Sequence, residues 1–308
     1  MEIITILIAL AVEQYYKAVE HYRQFDWFAS YCDWMQQKSE PMTNMFPTAR
    51  GPVTVVILLT PIVLISHFIL SALDGMGFFF SFIFGVVLLI YSLGPRDLNA
   101  QVDKYTEAVS SGDTEGALLH ANNFFSGHDN KPEFGGSPFE IAELMKRGIL
   151  LAFNNRILAV LFWFLILGPI GALLYRLTSL LMERYAGGYF AKQVTDENES
   201  DFIFAIQRLY MILGWVPARL CVIIFALAGS FSDTLLCWRC ATDFVNDDND
   251  ELIIKSGLHA LKMDVDVSNA KELDDENDEV TQVLVLVKWS LVIVVTIIAL
   301  MTITGWIY

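Results

Sequence analysis

The chain alternates long apolar runs with short polar breaks, and the runs have the length of bilayer crossings. Pro52–Leu73 and Met76–Leu93 are parted only by Asp74 and Gly75, a spacing that predicts a tight helical hairpin with a polar tip. Ile157–Leu181 is interrupted by Gly168, Pro169 and Gly171, where a helix kinks or re-enters. Val216–Phe231 is shorter, with Pro217 at its start, and Val280–Ile307 is the clearest span, with Lys288 placed to snorkel to the interface. Met1–Val12 is apolar but has neither a basic n-region nor a small-residue cleavage site, so it reads as retained. Extended to Val19 it is expected to span with the carboxylate of Glu13 within it, the alternative being a helix half in the interface. A hydrocarbon core about 30 Å thick takes roughly 20 helical residues, so the fold expected is all-α, a polytopic helical membrane protein with about five to six membrane segments.

Between the hairpin and the third span the period changes. Leu98, Val102, Tyr105 and Val109 fall at helical spacing, Ser111-Gly112-Asp113 breaks the run, and Leu118, Ala121 and Phe125 continue on a second face. This predicts a two-helix hairpin outside the bilayer, closed by a loop through Pro132, Gly135, Gly136 and Pro138. The organisation expected is therefore N-terminal membrane segments over 1–94, a cytoplasmic helical region over 95–147, a membrane core over 148–242, an acidic loop over 243–279 and a C-terminal transmembrane helix over 280–308. No strand-rich region or repeat at a solenoid period is visible.

Composition agrees, with 55% hydrophobic against 18% charged residues, and a soluble reading is excluded. Charge adds position. Thirteen acidic residues against Lys255, Lys262 and Lys271 between Asp243 and Glu279 carry −10 of the formal −15, which marks an extramembrane segment, disordered or a solvated helical hairpin. The acidic balance argues against nucleic acid as a partner; the bilayer itself is the partner expected. Lys17, Arg23, Lys38 and Arg50, and the basic residues from Arg96 to Arg156, place those regions in the cytoplasm by the positive-inside rule. Glu183–Phe202 then lies outside and the acidic loop returns inside. Four cysteines are too few for a disulfide scaffold.

Ionisable groups within lipid are costly, so each is a functional candidate. Arg176 lies beyond the Gly-Pro break and Arg219 opens the fourth span. Each either offers a guanidinium fork to a phosphate or carboxylate, or snorkels to the interface or pairs structurally with Glu183 or Asp233. Glu13 reads equally as a buried partner of one of these arginines or as an acid in a site. Asn154-Asn155-Arg156 caps a helix at the membrane surface or lines a site. His67 reads as an interhelical hydrogen bond. Cys237 and Cys240 form a CxxC with no second half, read as a reduced structural pair rather than a metal site. The run Asp247-Asp248-Asn249-Asp250 lacks the glycine and distal glutamate of a calcium loop and reads as solvated charge. Walker, GxSxG and HExxH signatures are absent. No catalytic residue, metal ligand or cofactor is assigned.

Gly168-Pro169-Ile170-Gly171-Ala172-Leu173-Leu174-Tyr175-Arg176, followed by Val216-Pro217-Ala218-Arg219-Leu220, resembles the AmpE/CobD (CbiB) integral membrane family. Leu161-Phe162-Trp163 and the Ser-Gly-Asp break after Tyr105 extend the resemblance. Glu13, Glu20, His21 and Leu93-Gly94 are similar to the AmpE branch. That branch implies an inner-membrane sensor or signalling modulator linked to β-lactamase induction. The cobalamin branch implies instead an amide synthase acting on a corrinoid carboxylate. Its Gly-Asp-Pro, His-Pro and Glu-Asn-Thr-Ser-Asp-Gly motifs are not retained; the last corresponds to Ala152-Phe153-Asn154-Asn155-Arg156-Ile157. The ligand-binding set expected is Glu13, Asn154, Asn155, Tyr175, Arg176 and Arg219, around an anionic small molecule such as a muropeptide.

Overall fold

The computed structural model describes residues 5–9, 26–43, 50–93, 98–125, 137–186, 197–240, 248–263 and 273–304. Among them all regular structure is helical, and the protein is a polytopic helical membrane protein. The helices are α1 (Asp26–Thr43), α2 (Arg50–Met76), α3 (Phe78–Ser92), α4 (Leu98–Ser110), α5 (Thr114–Phe124), α6 (Pro138–Phe153), α7 (Ala159–Tyr185), α8 (Glu197–Ala228), α9 (Phe231–Cys240), α10 (Asn249–Ala260) and α11 (Leu273–Ile303), with a π-helical turn, Asn154–Leu158, between α6 and α7. Four stretches are long and apolar enough to cross a membrane: Arg50–Met76, a window within Pro138–Tyr185, Asp201–Ala228 and Asn277–Ile303; α3 is a shorter apolar helix. The first apolar segment falls largely outside the described residues.

The chain divides into two compact units, one of residues 1–96 and 159–213 and the other of 97–158 and 214–308. In the first unit α2 and α3 form the expected hairpin, but α2 runs on through Asp74 and Gly75 to Met76. The chain reverses at Gly77, whose φ of 136° lies where only glycine is comfortable. Phe28 and Cys32 of α1, Val55, Leu58 and Leu59 of α2, Leu173, Leu177 and Leu181 of α7, and Phe202 and Ile206 of α8 make one buried cluster. Between helices in lipid, apolar burial gives little driving force and close backbone approach gives more. Gly51 accordingly lies so near the Asp201 carbonyl that a Cβ there would come within 2.1 Å of it.

In the second unit α4 and α5 are the helical hairpin read from the sequence, turned at Gly112 (φ 76°) and capped where Asp113 accepts from the Gly116 amide at 2.9 Å. Val102, Tyr105, Ala117, Ala121 and Phe124 are buried, and the rings of Phe124 and Phe125 fill the space beside Gly148 of α6.

Three expectations are corrected. Gly51 at the start of α2 lies against Asp201 at the start of α8, so the Glu183–Phe202 region is at the same end of the first unit as Arg50 and not on the opposite side of the membrane from it. The fourth span does not begin at Val216: α8 starts at Glu197, because a helix tolerates Pro217 when the carbonyl it frees finds another donor. Part of the acidic segment is not solvated. Asp248 caps α10 by accepting from the Asp250 amide, Asp250 and Glu251 sit favourably in the first turn, and Leu252, Ile253, Ile254 and Leu258 are buried. Gly257 rests against Leu150 of α6.

Candidate functional site

In the first unit, α7 bends at Gly168, where φ 68° and ψ −159° leave the helical region just before Pro169. The bend brings the Trp163 carbonyl within 2.4 Å of where a Cβ on Gly171 would sit, so the small residue is required there. One turn on, Tyr175 and Arg176 are both buried. Arg176 Nη1 lies 3.6 Å from Glu183 Oε1, two turns along the same helix, and Ser179 Oγ donates to that carboxylate oxygen at 3.4 Å. This is the carboxylate pairing foreseen for Arg176.

Trp163 of α7 hydrogen-bonds to the turn of α8 that precedes Pro217. Pro217 has no N–H, so the carbonyl of Leu213 loses its helical donor. Trp163 Nε1 donates to that carbonyl at 3.0 Å. The Leu-Phe-Trp and Val-Pro-Ala-Arg motifs thus share a structural reason: the indole satisfies what the proline exposes.

In the second unit Arg219 lies well inside α8, not at the start of a span as expected, and is buried. Its Nη1 donates to Asn249 Oδ1 at 2.5 Å and to the Trp215 carbonyl at 3.1 Å, and the guanidinium sits 4.4 Å over the Trp215 ring. Asn249, buried like its neighbour Asp250, brings the first turn of α10 to this arginine. The positive end of that helix is met by Asp248, which caps it, and by Asp250 and Glu251 in its first turn.

Also in the second unit, Asn154 is buried on the π-helical turn and donates Nδ2 to Asn155 Oδ1 at 2.9 Å. Its Oδ1 is buried with no hydrogen-bond partner. An unmet buried acceptor costs about 1–3 kcal/mol, and π turns recur at functional sites because they re-aim side chains.

The structure therefore pairs Asn154 with Asn155, sets Tyr175 next to Arg176, and gives Arg219 a partner, Asn249, that the sequence reading had placed in solvated charge. Glu13 lies outside the described residues. His67 is exposed on α2, two turns before the hairpin end, rather than hydrogen-bonded into a helix interface. The backbone of Cys237 and Cys240 is helical in α9. Among the described residues no group of acidic, histidine and cysteine side chains is arranged to hold a metal.

Sequence reasoning missed two groups. Asn249 was detectable as the first residue after a capping aspartate, followed by an apolar helical stripe. Lys146, buried on α6, bridges Glu143 at 2.9 Å and Glu279 of α11 at 2.8 Å, a contact that no spacing announces.

Over residues 1–308 the chain matches the family described as "Regulatory signalling modulator protein AmpE". It is similar to a cobalamin biosynthesis protein CobD of Stutzerimonas stutzeri, 28% identical over 195 residues, 63% of this chain and 59% of that protein. It is also similar to a cobalamin biosynthesis protein CobD of Chromobacterium violaceum, 27% identical over 223 residues, 72% of this chain and 66% of that one. The matched regions thus cover less than two thirds of the length of either relative. No solved structure matches the chain.

Proposed function

The chain belongs to the AmpE family, and from that premise we propose that it is an inner-membrane signalling modulator that couples cell-wall status to β-lactamase induction by binding an anionic cell-wall-derived ligand. The observation that carries the ligand reading is the buried Arg219, held by an amide oxygen, a backbone carbonyl and an indole face at the first turn of α10. A guanidinium fork suits a carboxylate or phosphate. Asn154, with an unmet acceptor on a π turn, supplies a second polar group of the same unit. Asn155 adjoins it on the same turn, Tyr175 and Arg176 form a separate buried polar pair of the first unit, and a muropeptide is the ligand class that fits the family.

The similarity to CobD favours a second reading, a membrane amide synthase for a corrinoid or related carboxylate. Against it stands the stretch Ala152-Phe153-Asn154-Asn155-Arg156-Ile157, which offers no carboxylate to activate a nucleophile or hold a metal. The test is β-lactamase induction in cells producing Arg219→Ala or Arg176→Ala protein whose insertion has been verified. Loss of inducibility is expected; unchanged induction with both variants overturns the ligand reading.

A further inference from the structure

Helix α1 is not one of the membrane-crossing helices, and its side chains divide into three sectors. Phe28, Cys32 and Met35 face the apolar cluster of the first unit. Ser30, Asp33 and Gln37 are exposed and polar. Between these sectors Trp27, Tyr31, Trp34 and Lys38 follow one another at helical spacing as a single stripe, with Trp27 46% and Trp34 52% exposed. The stripe is continuous: the Trp27 and Tyr31 rings are 6.5 Å apart, Tyr31 and Trp34 6.4 Å, and the Lys38 ammonium lies 4.8 Å over the Trp34 ring.

The partners of α1 locate it along the bilayer normal. Trp27 Nε1 donates to the Tyr91 hydroxyl, at the end of α3. Arg184, at the end of α7, donates from Nη2 to both Asp33 oxygens at 3.1 Å. Tyr185 donates to Asp33 and stacks edge-on with Phe202 near the start of α8. Tyr31 donates to the Leu58 carbonyl in the first third of α2. The start of α2, the end of its hairpin partner α3, the end of α7 and the start of α8 thus meet α1 at one end of the helices of this unit.

We infer that α1 lies in the plane of the membrane and that its Trp27-Tyr31-Trp34-Lys38 stripe binds the headgroup and acyl boundary of the bilayer. Indole rings prefer that boundary, where one edge is apolar and the N–H is wet, and a lysine at the end of the stripe reaches to the phosphates. Exposed Val56 and Val87 on α2 and α3 continue the apolar surface away from this end. The polar sector carries Asp33 engaged by Arg184, so the net charge presented is small and zwitterionic phospholipid suffices.

The test uses the full chain in phosphatidylcholine vesicles, with Cys237→Ser and Cys240→Ser, and one nitroxide placed in turn at Trp34→Cys, Ser30→Cys and Gln37→Cys. Relative accessibility to oxygen and to a water-soluble nickel chelate reports depth. A label at position 34 is expected roughly 5–10 Å below the phosphates, with labels at 30 and 37 in water. A label at 34 as open to the chelate as the other two overturns the inference, as does one shielded from both reagents, which indicates a protein partner. A second measurement spares the cysteine changes: Trp34→Phe is expected to remove a fluorescence component quenched by lipids brominated near the top of the acyl chain. An unchanged quenching profile overturns the inference.

Discussion

Helices α2 and α8 are both apolar and long enough to cross a bilayer, yet the protein uses them in opposite ways. Only 17% of the span window of α2 is buried, against 50% for α8. Between Gly51 and Leu73 α2 carries no charged residue, whereas α8 carries the buried Arg219. Where a helix faces lipid, a charge has no partner that can offset its desolvation; where it faces other helices, amide oxygens, carbonyls and rings supply one. The α2–α3 hairpin is therefore a lipid-facing wall, and the polar groups that can recognise something are confined to helices already enclosed by protein.

The comparison is most easily broken at Lys146, buried between Glu143 and Glu279. Lys146→Met leaves the half-buried Glu279 without its cation, while Glu143 keeps Arg147 at 2.8 Å, and is expected to lower stability by about 3 kcal/mol, read by denaturant titration in detergent. Equal stability would mean that enclosed charges in this protein are not held by their partners. Gly171→Ala on enclosed α7 comes next. With the Trp163 carbonyl 2.4 Å from the new Cβ, overpacking is expected to cost about 1–3 kcal/mol.

Cys32 sharpens the contrast by pH. Burial pushes its thiol up from 9.0 to about 12, opposed in part by Arg184 and assisted by Asp33. The folded state holds this proton more tightly than the unfolded chain does. The contribution is therefore complete below pH 9 and is lost as pH rises towards 12. Cys32→Ala is expected to flatten the alkaline limb of the stability profile, and in the native protein a maleimide should label Cys32 only on unfolding.

Asn154→Leu separates recognition from packing. Leucine gives up the Nδ2 hydrogen bond to Asn155 but also an unmet acceptor, so stability is expected to change by no more than about 1 kcal/mol, while β-lactamase induction falls. The smallest effect belongs to the wall: Phe68, 75% exposed on α2, is expected to tolerate alanine within about 0.5 kcal/mol.

The spans and the α4–α5 hairpin were legible because each is a local pattern: an apolar run, a helical period, a Ser-Gly-Asp stop. Arg176 and Arg219 were legible as costly residues in apolar surroundings, and Tyr175 only through the family motif. What was not legible depends on contacts far apart in sequence. Trp163 meeting the carbonyl freed by Pro217, Lys146 meeting Glu279, and Asn249 meeting Arg219 each join separate helices, and no periodicity encodes them. The acidic run misled for a related reason. Charge density describes a segment's average, whereas α10 places its acids at the N-terminal turn and keeps an apolar stripe for α6.

The central claim, that this membrane protein recognises an anionic cell-wall fragment, is tested most directly by thermal unfolding of the purified chain in detergent against muropeptides, and separately against Mg²⁺-nucleotide with a corrinoid precursor. A ligand that binds only the folded state raises its Tm. The account predicts a rise with muropeptide that is lost in Arg219→Ala; a rise with nucleotide and corrinoid alone contradicts it and establishes the synthase reading in its place.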